Sequence, residues 1–283
     1  MYKRIIYVSF LLVAISGCVP VTQYVRSANV PSATGETLTL PMHNTVEMSG
    51  SFSYNDSFNA AYYHLPSTLV YDVNDPLVLQ STVHLEGLVR ISVHSNVAIG
   101  AHGTIDLFRV GDYLHLPFDN TPSVGVGPNV AFHFHPGSEN FTIGMSGALT
   151  FASIPWNSWA LQNPQAAGRR TSVFDPSLYY RRESSSDILY LYRASVGVSY
   201  LFAGHIEPFG GISMQNEATN IGFDNVNRGG STLSARDLNI VPYVGVSANL
   251  WPVFVRFQCY LPLNVTRSAQ GEFGTQLQVG AGF

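Results

Sequence analysis

Apolar residues alternate with small or polar residues from about residue 45 to the end of the chain, and the alternation recurs ten times. In the last stretch, Phe273, Leu277 and Val279 share one parity, while Gln276 and Gln278 share the other. A period of two predicts β-strands with one apolar and one polar face. The predicted strands cover about 45–55, 82–94, 97–108, 123–135, 140–152, 188–202, 205–216, 239–250, 253–263 and 272–283.

The connections between these strands alternate strictly between short and long. This alternation is typical of a closed antiparallel transmembrane β-barrel, which has tight turns at one end and long loops at the other. About ten strands are expected, with eight and twelve as alternatives. The short connections are Ser95-Asn96, 136–139, Ala203-Gly204 and Trp251-Pro252, and the long ones are about 56–81, 109–122, 153–187, 217–238 and 264–271.

Composition and charge agree with a membrane barrel. Charged residues make up 11% of the chain, whereas an ordinary soluble protein has roughly 25%. In hydrocarbon every backbone polar group must be paired within the protein, so the sheet has to close with its apolar parity outward and its polar parity lining the lumen. The formal net charge of −4 gives no indication of nucleic-acid binding.

The residues before the barrel, which we expect to cover 44–283, resemble an export signal. Residues 1–17 have two basic residues followed by an apolar run that is too short to span a bilayer as a helix, as in a signal peptide. The tetrad ISGC at its end resembles a bacterial lipobox, which implies acylation of Cys18. An ordinary signal peptide cleaved nearby is the alternative. Residues 18–43, rich in Pro, Ser and Thr, are expected to form a lipidated periplasmic tether.

Ten amphipathic strands, a signal sequence and a terminal Phe resemble the small outer-membrane β-barrel proteins of Gram-negative bacteria, the OmpA/OmpX-like group in the broad sense. The resemblance covers about residues 44–283 and is one of pattern. It implies a bacterial outer-membrane location, contact with membrane lipid and two periplasmic termini. It also implies that Phe283 is read by the barrel-assembly machinery as an assembly signal. The lipobox sets this chain apart from most such barrels.

The inward parity carries acidic and basic residues in near balance. Because buried charges need partners, this balance indicates an internal ion-pair network that plugs the barrel. A narrow polar path for small solutes is the alternative. The residues predicted to form the network are Glu47, Glu86, Arg90, His102, Asp106, Arg193, Glu207 and Arg256.

The hairpin of the second and third strands has a predicted register. Because inward-facing His94 has to pair with another inward-facing residue, a three-residue turn that pairs it with Ala98 is expected. This register places Glu86 opposite Asp106, and two facing carboxylates in a confined lumen cannot both ionise freely. We expect Arg193, at similar depth, to bridge them; a shared proton or a bound cation is the alternative.

Two further groups of residues are candidate binding sites. Inward histidines near the short turns have ligand chemistry, but the spacing fixes no third ligand, so neither a metal nor a cofactor is expected. Aromatic and arginine residues in the longest loop could bind lipopolysaccharide phosphates, a carbohydrate or a protein partner, or they could pack within the loop. The histidines are His94, His133, His135 and His205, and the loop residues are Trp156, Trp159, Arg169, Arg170, Tyr179, Tyr180, Arg181 and Arg182.

Three functions are compatible with such a barrel. The first is a non-enzymatic barrel that is structural or binds an extracellular or periplasmic partner, and the second is a narrow channel. The third is a barrel enzyme, because the resemblance extends to outer-membrane proteases and lipid-modifying enzymes. The predicted rim acids show no spacing that demands a protease, and no nucleophile-elbow or zinc-helix motif is present. We therefore expect no enzymatic activity. The rim acids are Asp112, Glu217, Asp224 and Asp237.

Overall fold

The computed structural model describes residues 24–31, 34, 46–55, 77–107, 121–161, 179–217, 237–264 and 273–283. Within these ranges the secondary structure consists of thirteen β-strands. They are β1 (Tyr24–Val30), β2 (Val46–Asn55), β3 (Leu77–Gln80), β4 (Val83–His94), β5 (Val97–Leu107), β6 (Ser123–Phe134), β7 (Phe141–Leu161), β8 (Tyr179–Tyr200), β9 (Ile206–Glu217), β10 (Asp237–Leu250), β11 (Val253–Tyr260), β12 (Leu263–Asn264) and β13 (Gly274–Gly282).

Ten of these strands form a closed antiparallel barrel. Neighbouring strands follow the order β7, β6, β5, β4, β2, β13, β11, β10, β9 and β8. Strand β8 then pairs with β7, from Phe141 opposite Tyr200 to Leu161 opposite Tyr179, so the sheet closes on itself. The last strand pairs with β2, the first strand of the barrel in the sequence. The prediction of a ten-stranded antiparallel barrel is confirmed.

The two ends of the barrel differ in their connections. Four short connections join β4 to β5, β6 to β7, β8 to β9 and β10 to β11, and we call their end the turn end. Strand β2 begins there and β13 ends there. The amide of Val46 donates to the carbonyl of Phe283 at 3.1 Å, and the amide of Phe283 donates to the carbonyl of Val46 at 2.9 Å. The opposite end is called the loop end.

The outer surface of the barrel is apolar and its interior is polar. Met48, Ile99 and Val196 are 52%, 49% and 46% exposed, although each lies within a paired strand. Residues of the opposite parity, such as Glu47 and Ser195, are buried inside the barrel. The predicted face assignment therefore holds, and the exposed apolar band is the surface that a membrane barrel presents to lipid. No helix in the described ranges is long and apolar enough to cross a membrane.

The hairpin of β7 and β8 is longer than predicted. The sequence pattern leaves 153–187 as a loop, whereas backbone pairing continues along both strands as far as Leu161 and Tyr179. A β-bulge near Ser158 and Trp159 shifts the register within this extension. Once the strands rise beyond the barrel, neither face is required to be apolar, so the period of two that marks the other strands is lost.

The register predicted for the hairpin of β4 and β5 is wrong by two residues. His94 pairs with Val97 across a two-residue turn, and a β-bulge between Ser92 and His94 absorbs the difference in parity. Glu86 consequently lies opposite Thr104, not opposite Asp106. The bulge adds one unpaired residue, which parity counting along the sequence does not include. The predicted pair of facing carboxylates does not form.

Candidate functional site

The loop-end half of the lumen contains an ion pair that crosses the barrel. Arg193 on β8 donates to both carboxylate oxygens of Glu86 on β4, at 2.8 and 3.2 Å. The two strands are separated by three strands on one side of the barrel and by five on the other. Both side chains are largely buried. The bidentate pair therefore joins nearly opposite walls of the barrel.

A second set of polar contacts lies on the wall beside Glu86. His84 Nδ1 donates to Asp106 Oδ1 at 2.9 Å, and the Ser81 hydroxyl donates to the same oxygen at 2.8 Å. His84 Nε2 lies 3.8 Å from Glu86 Oε2, which links the two sets. The histidine, not Arg193, is thus the partner of Asp106. Sequence parity placed His84 inside the barrel, but only the bulged register brings it opposite Asp106.

The turn-end half of the lumen contains a separate cluster around Arg256. Its guanidinium donates to the Ser247 hydroxyl at 3.2 Å and lies 4.5 Å from the centre of the Phe254 ring. Asn249 accepts a bond from Ser247 at 2.8 Å and donates to Glu207 at 2.9 Å. Arg256 and Glu207 are therefore connected through two neutral side chains, Ser247 and Asn249.

Glu47 and Arg90 complete the turn-end cluster. Arg90 donates from Nε to Asn129 at 2.8 Å, and Glu47 is 1% exposed. Glu47, Arg90 and Glu207 are all close enough to Arg256 to act electrostatically on its charge. The eight predicted network residues therefore lie in two layers of the lumen, one in the loop-end half and one in the turn-end half. Seven of them carry the charges of those layers. The eighth, His102, bonds to Thr150 at 2.8 Å instead.

A small cavity lies beside the ion pair in the loop-end half of the lumen. A cavity of about 50 Å³ is lined by residues that include His84, His102, Asp106 and Arg193. A volume of this size holds only a few water molecules, because one water occupies roughly 30 Å³ in the liquid. The cavity is lined by side chains from opposite walls of the barrel.

The N-terminal segment also enters the lumen. The amide of Thr34 donates to Gln215 Oε1 at 3.1 Å, and the Gln215 amide group donates to the Thr34 carbonyl. Arg193 donates to the Thr34 hydroxyl at 3.3 Å, so one guanidinium holds both Glu86 and the N-terminal segment. Thr34 is 2% exposed. Nothing in the low-complexity stretch around Thr34 predicts this position.

Strand β1 lies above the barrel wall at the loop end. Tyr24 pairs with Ala160 and Ala28 with Trp156, on the extension of β7 that rises beyond β6. Strand β3 runs parallel to β1 and leads into β4. Within the segment expected to form a periplasmic tether (18–43), residues 24–31 and 34 lie at the loop end and inside the barrel, and the tether stays a prediction. The proposed signal peptide and Cys18 lie outside the described residues.

The aromatic and arginine residues predicted to form an outer-loop surface are on strands where the structure describes them. Trp156 and Trp159 belong to β7, and Tyr179, Tyr180, Arg181 and Arg182 belong to β8. Trp156 is half-buried. The hairpin thus brings six of the eight residues together at the loop end. Arg169 and Arg170 lie outside the described residues.

The remaining candidate residues are the histidines near the short turns and the rim acids. The rings of His133 and His135 are 5.7 Å apart, but in the described ranges no three His, Cys, Asp or Glu side chains form a group that could hold a metal. His205 and His94 lie at the turn end, in or next to short connections. Asp237 lies opposite Glu217 at the loop end of β9 and β10. Asp112 and Asp224 lie outside the described residues.

No protein-family model matches the chain, and no curated protein matches it. Three solved structures with the same kind of fold are the N-terminal β-barrel domain of Pseudomonas aeruginosa OprF, LpxR from Salmonella typhimurium and an outer membrane channel from Pseudomonas putida F1. Their identities are 10%, 10% and 13%, with TM-scores of 0.35, 0.40 and 0.41. They cover 85%, 84% and 89% of this chain and 98%, 100% and 100% of their own. The expected barrel fold is shown by the strand pairing of this chain, and these matches carry no conclusion about function.

Proposed function

We propose that the protein is a non-enzymatic outer-membrane β-barrel lipoprotein whose lumen is closed and whose loop end is structural or binds a partner. The observation that carries the proposal is the ion pair of Arg193 and Glu86 across the lumen, with Thr34 held by the same guanidinium. A channel for solutes needs this cross-section to be open. Here it is occupied by three side chains and by backbone.

The outer-membrane location follows from the surface of the barrel. Large apolar side chains are exposed on every barrel strand, and water would make such a continuous apolar band unfavourable. Hydrocarbon instead favours it, provided that the sheet of the barrel is closed, as it is here. Phe283 lies at the turn end with its side chain 63% exposed, where the assembly machinery could reach it.

The non-enzymatic part of the proposal rests on the way in which buried polar groups are used. Ser81, Asp106 and His84 are the one set of described lumen residues that resembles a nucleophile, an acid and a base. The Ser81 hydroxyl donates its hydrogen bond to Asp106, whereas activation as a nucleophile requires the hydroxyl to donate to the base. Asp106 and Ser81 are fully buried. These groups stabilise the wall.

The loop end is the part of the protein that we propose for partner binding. The extended hairpin of β7 and β8 carries Trp156, Trp159 and two adjacent arginines at 181–182 beyond the barrel wall. Arginines beside aromatic residues suit phosphate groups of lipopolysaccharide or a carbohydrate or protein surface. Pull-down of purified lipopolysaccharide by the wild type, compared with a variant in which Arg181 and Arg182 are replaced by Ser, tests the lipid partner directly.

A narrow channel for small polar solutes is the second candidate function. The observation that favours it is the continuous polar lining, in which Gln258, Gln276 and Gln278 follow one another on neighbouring strands. Liposome swelling in arabinose separates the two functions. If the lumen is closed, liposomes that contain the protein are expected to swell at the same rate as protein-free liposomes. Swelling that falls steadily with increasing sugar size would support the channel.

Acylation of Cys18 is proposed from the lipobox alone. The intact mass of protein purified from a Gram-negative host tests it. A diacyl or triacyl adduct on a chain that begins at Cys18 is expected, and a chain without the adduct would rule out the lipoprotein assignment while leaving the barrel proposal intact.

A further inference from the structure

We infer that His133 and His135 form a binding site for one divalent transition-metal ion, of the zinc and copper class, at the turn end of the barrel. The inference does not depend on whether the lumen is closed. Three observations carry it: the distance between the two rings, the contacts that anchor each ring, and the buried ring nitrogen of His133.

The two histidines lie side by side next to a short turn. His133 is the last residue but one of β6, and His135 is the first residue of the connection to β7. Their ring centres are 5.7 Å apart, and the ring planes are inclined by 57°. Two imidazoles on one tetrahedral ion, with metal–nitrogen bonds of about 2.0–2.1 Å, have ring centres roughly 5 Å apart. A small rotation of the rings is therefore enough to bring both onto one ion.

His133 is anchored by the turn between β4 and β5. Its amide donates to the carbonyl of Asn96 at 3.1 Å, and its ring hydrogen-bonds to the backbone of Ser95. The ring nitrogen Nε2 is buried, and no described residue is a hydrogen-bond partner of it. The bond to Ser95 is therefore made by Nδ1. As the donor to the Ser95 carbonyl, Nδ1 carries the proton of the neutral imidazole and leaves the lone pair on Nε2.

His135 is anchored in a similar way by β7. Its Nδ1 lies 3.1 Å from the hydroxyl of Thr142 and 3.4 Å from the carbonyl of Phe141. Both rings thus contact protein oxygens through Nδ1, so Nε2 is the nitrogen that each can offer to an ion. Histidines that bind metals typically donate their other ring N–H to a backbone carbonyl or a carboxylate, which fixes the tautomer and the orientation of the ring.

The two nitrogen ligands determine which ions suit the site. Imidazole suits zinc, copper and nickel, whereas calcium and magnesium prefer oxygen ligands. In the part of the chain that the structure describes, no third His, Cys, Asp or Glu joins the two histidines. Water can fill the coordination positions that the protein leaves open. Copper is expected to bind more tightly than zinc, because the affinity of a given site rises along the series of divalent metals to copper.

Copper binding to the wild type tests the ligands directly. The full chain is purified in detergent without a polyhistidine tag and mixed with up to one equivalent of Cu²⁺. The electron paramagnetic resonance spectrum is expected to show coupling of the bound copper to two nitrogen nuclei. A spectrum without coupling to nitrogen would overturn the inference.

Substitution shows which histidines bind the ion. Calorimetric titration with Zn²⁺ is expected to give one site in the wild type, and His133→Gln and His135→Gln are each expected to weaken it at least about tenfold. His205→Gln, which changes a histidine next to a different turn, is the matched control and is expected to bind like the wild type. Heat-modifiable mobility on gels identifies the folded variants.

Zinc binding that persists unchanged in folded His133→Gln and His135→Gln would overturn the assignment. Equal weakening in His205→Gln would also overturn it, because the ion would then be bound without preference for this pair. If neither of the two variants folds, the copper spectrum of the wild type decides.

Discussion

Arg193 and Glu86 are joined by two hydrogen bonds across the lumen, from strands that lie on nearly opposite walls of the barrel. Removing one partner of a buried ion pair leaves the other charge without compensation, at a cost of about 3–5 kcal/mol. We therefore predict that Arg193→Ala and Glu86→Ala each lower the free energy of unfolding in lipid by an amount of this order.

The double variant is predicted to be less destabilised than the sum of the two single variants, because it leaves no unpaired charge in the lumen. Urea unfolding followed by tryptophan fluorescence measures all four proteins. Additive losses would show that the two side chains do not interact. Ser146→Ala is a suitable control, since its hydroxyl is bonded to Ser195 at 2.6 Å in the lumen without any charge.

Two glycines on paired neighbouring strands give a prediction about packing. A Cβ at Gly274 would collide with the ring of Tyr260, whereas a Cβ at Gly50 would meet nothing within 4 Å. Overpacking of a filled interior typically costs about 1–3 kcal/mol. Gly274→Ala is expected to lower the unfolding free energy by about this amount, and Gly50→Ala, which faces outward, is expected to leave it nearly unchanged.

If both alanine variants unfold like the wild type, the tight contact of Gly274 with Tyr260 does not exist in solution. If both are equally destabilised, Gly50 is not at the open outer surface. The heat-modifiable mobility of the barrel on gels gives a second measurement of the same difference.

Arginine substitutions on the outer surface test whether the apolar band of the barrel faces lipid or water. Val196 lies near the middle of the exposed band and Leu250 next to the turn end, 46% and 63% exposed. Arginine on the lipid face costs about 2–4 kcal/mol at the bilayer midplane and about 0–1 near the interface. Val196→Arg is therefore expected to be strongly destabilising in lipid vesicles, and Leu250→Arg only slightly. Equal, small effects would indicate that the band faces water.

Phe283 gives a prediction about assembly in the cell. Phe283→Ala keeps the backbone bonds to Val46, so refolding into detergent is expected to be normal. Assembly in cells is expected to fall several-fold if the assembly machinery reads this residue. Phe273→Ala, exposed to a similar degree (57% against 63%) next to the other end of β13, is the control. Equal loss of assembly in both variants would contradict a specific role of Phe283.

The barrel itself could be predicted because its physical requirements leave a mark at every second residue. Because hydrocarbon lies outside the barrel and polar side chains lie inside it, apolar residues such as Met48 alternate with polar residues such as Glu47. The turns at one end of such a barrel are short. The resulting strand number, face assignment and two ends agree with the structure. The contact of Arg193 with Glu86 could also be expected, because the two inward-facing residues lie at similar depth in the lumen.

The features that could not be predicted are those that do not depend on the alternation of apolar and polar residues along a strand. The bulge beside His94 changes the partner of Asp106, and parity alone cannot detect one extra residue. Strand β1 is held by backbone pairing with the extension of β7, which nearly any sequence can provide. Thr34 is placed in the lumen by amide and guanidinium contacts from distant strands. Such contacts leave no local pattern in a stretch rich in Pro, Ser and Thr.

Planar-bilayer conductance tests the closed lumen most directly. The refolded wild type is expected to show no stable single-channel current, because Arg193, Glu86 and Thr34 occupy one cross-section of the barrel. Joint replacement of Arg193 and Glu86 by Ala is expected to produce a small, reproducible conductance, while Ser146→Ala remains silent. A steady current through the wild-type barrel, unchanged by the joint replacement, would contradict the closed lumen.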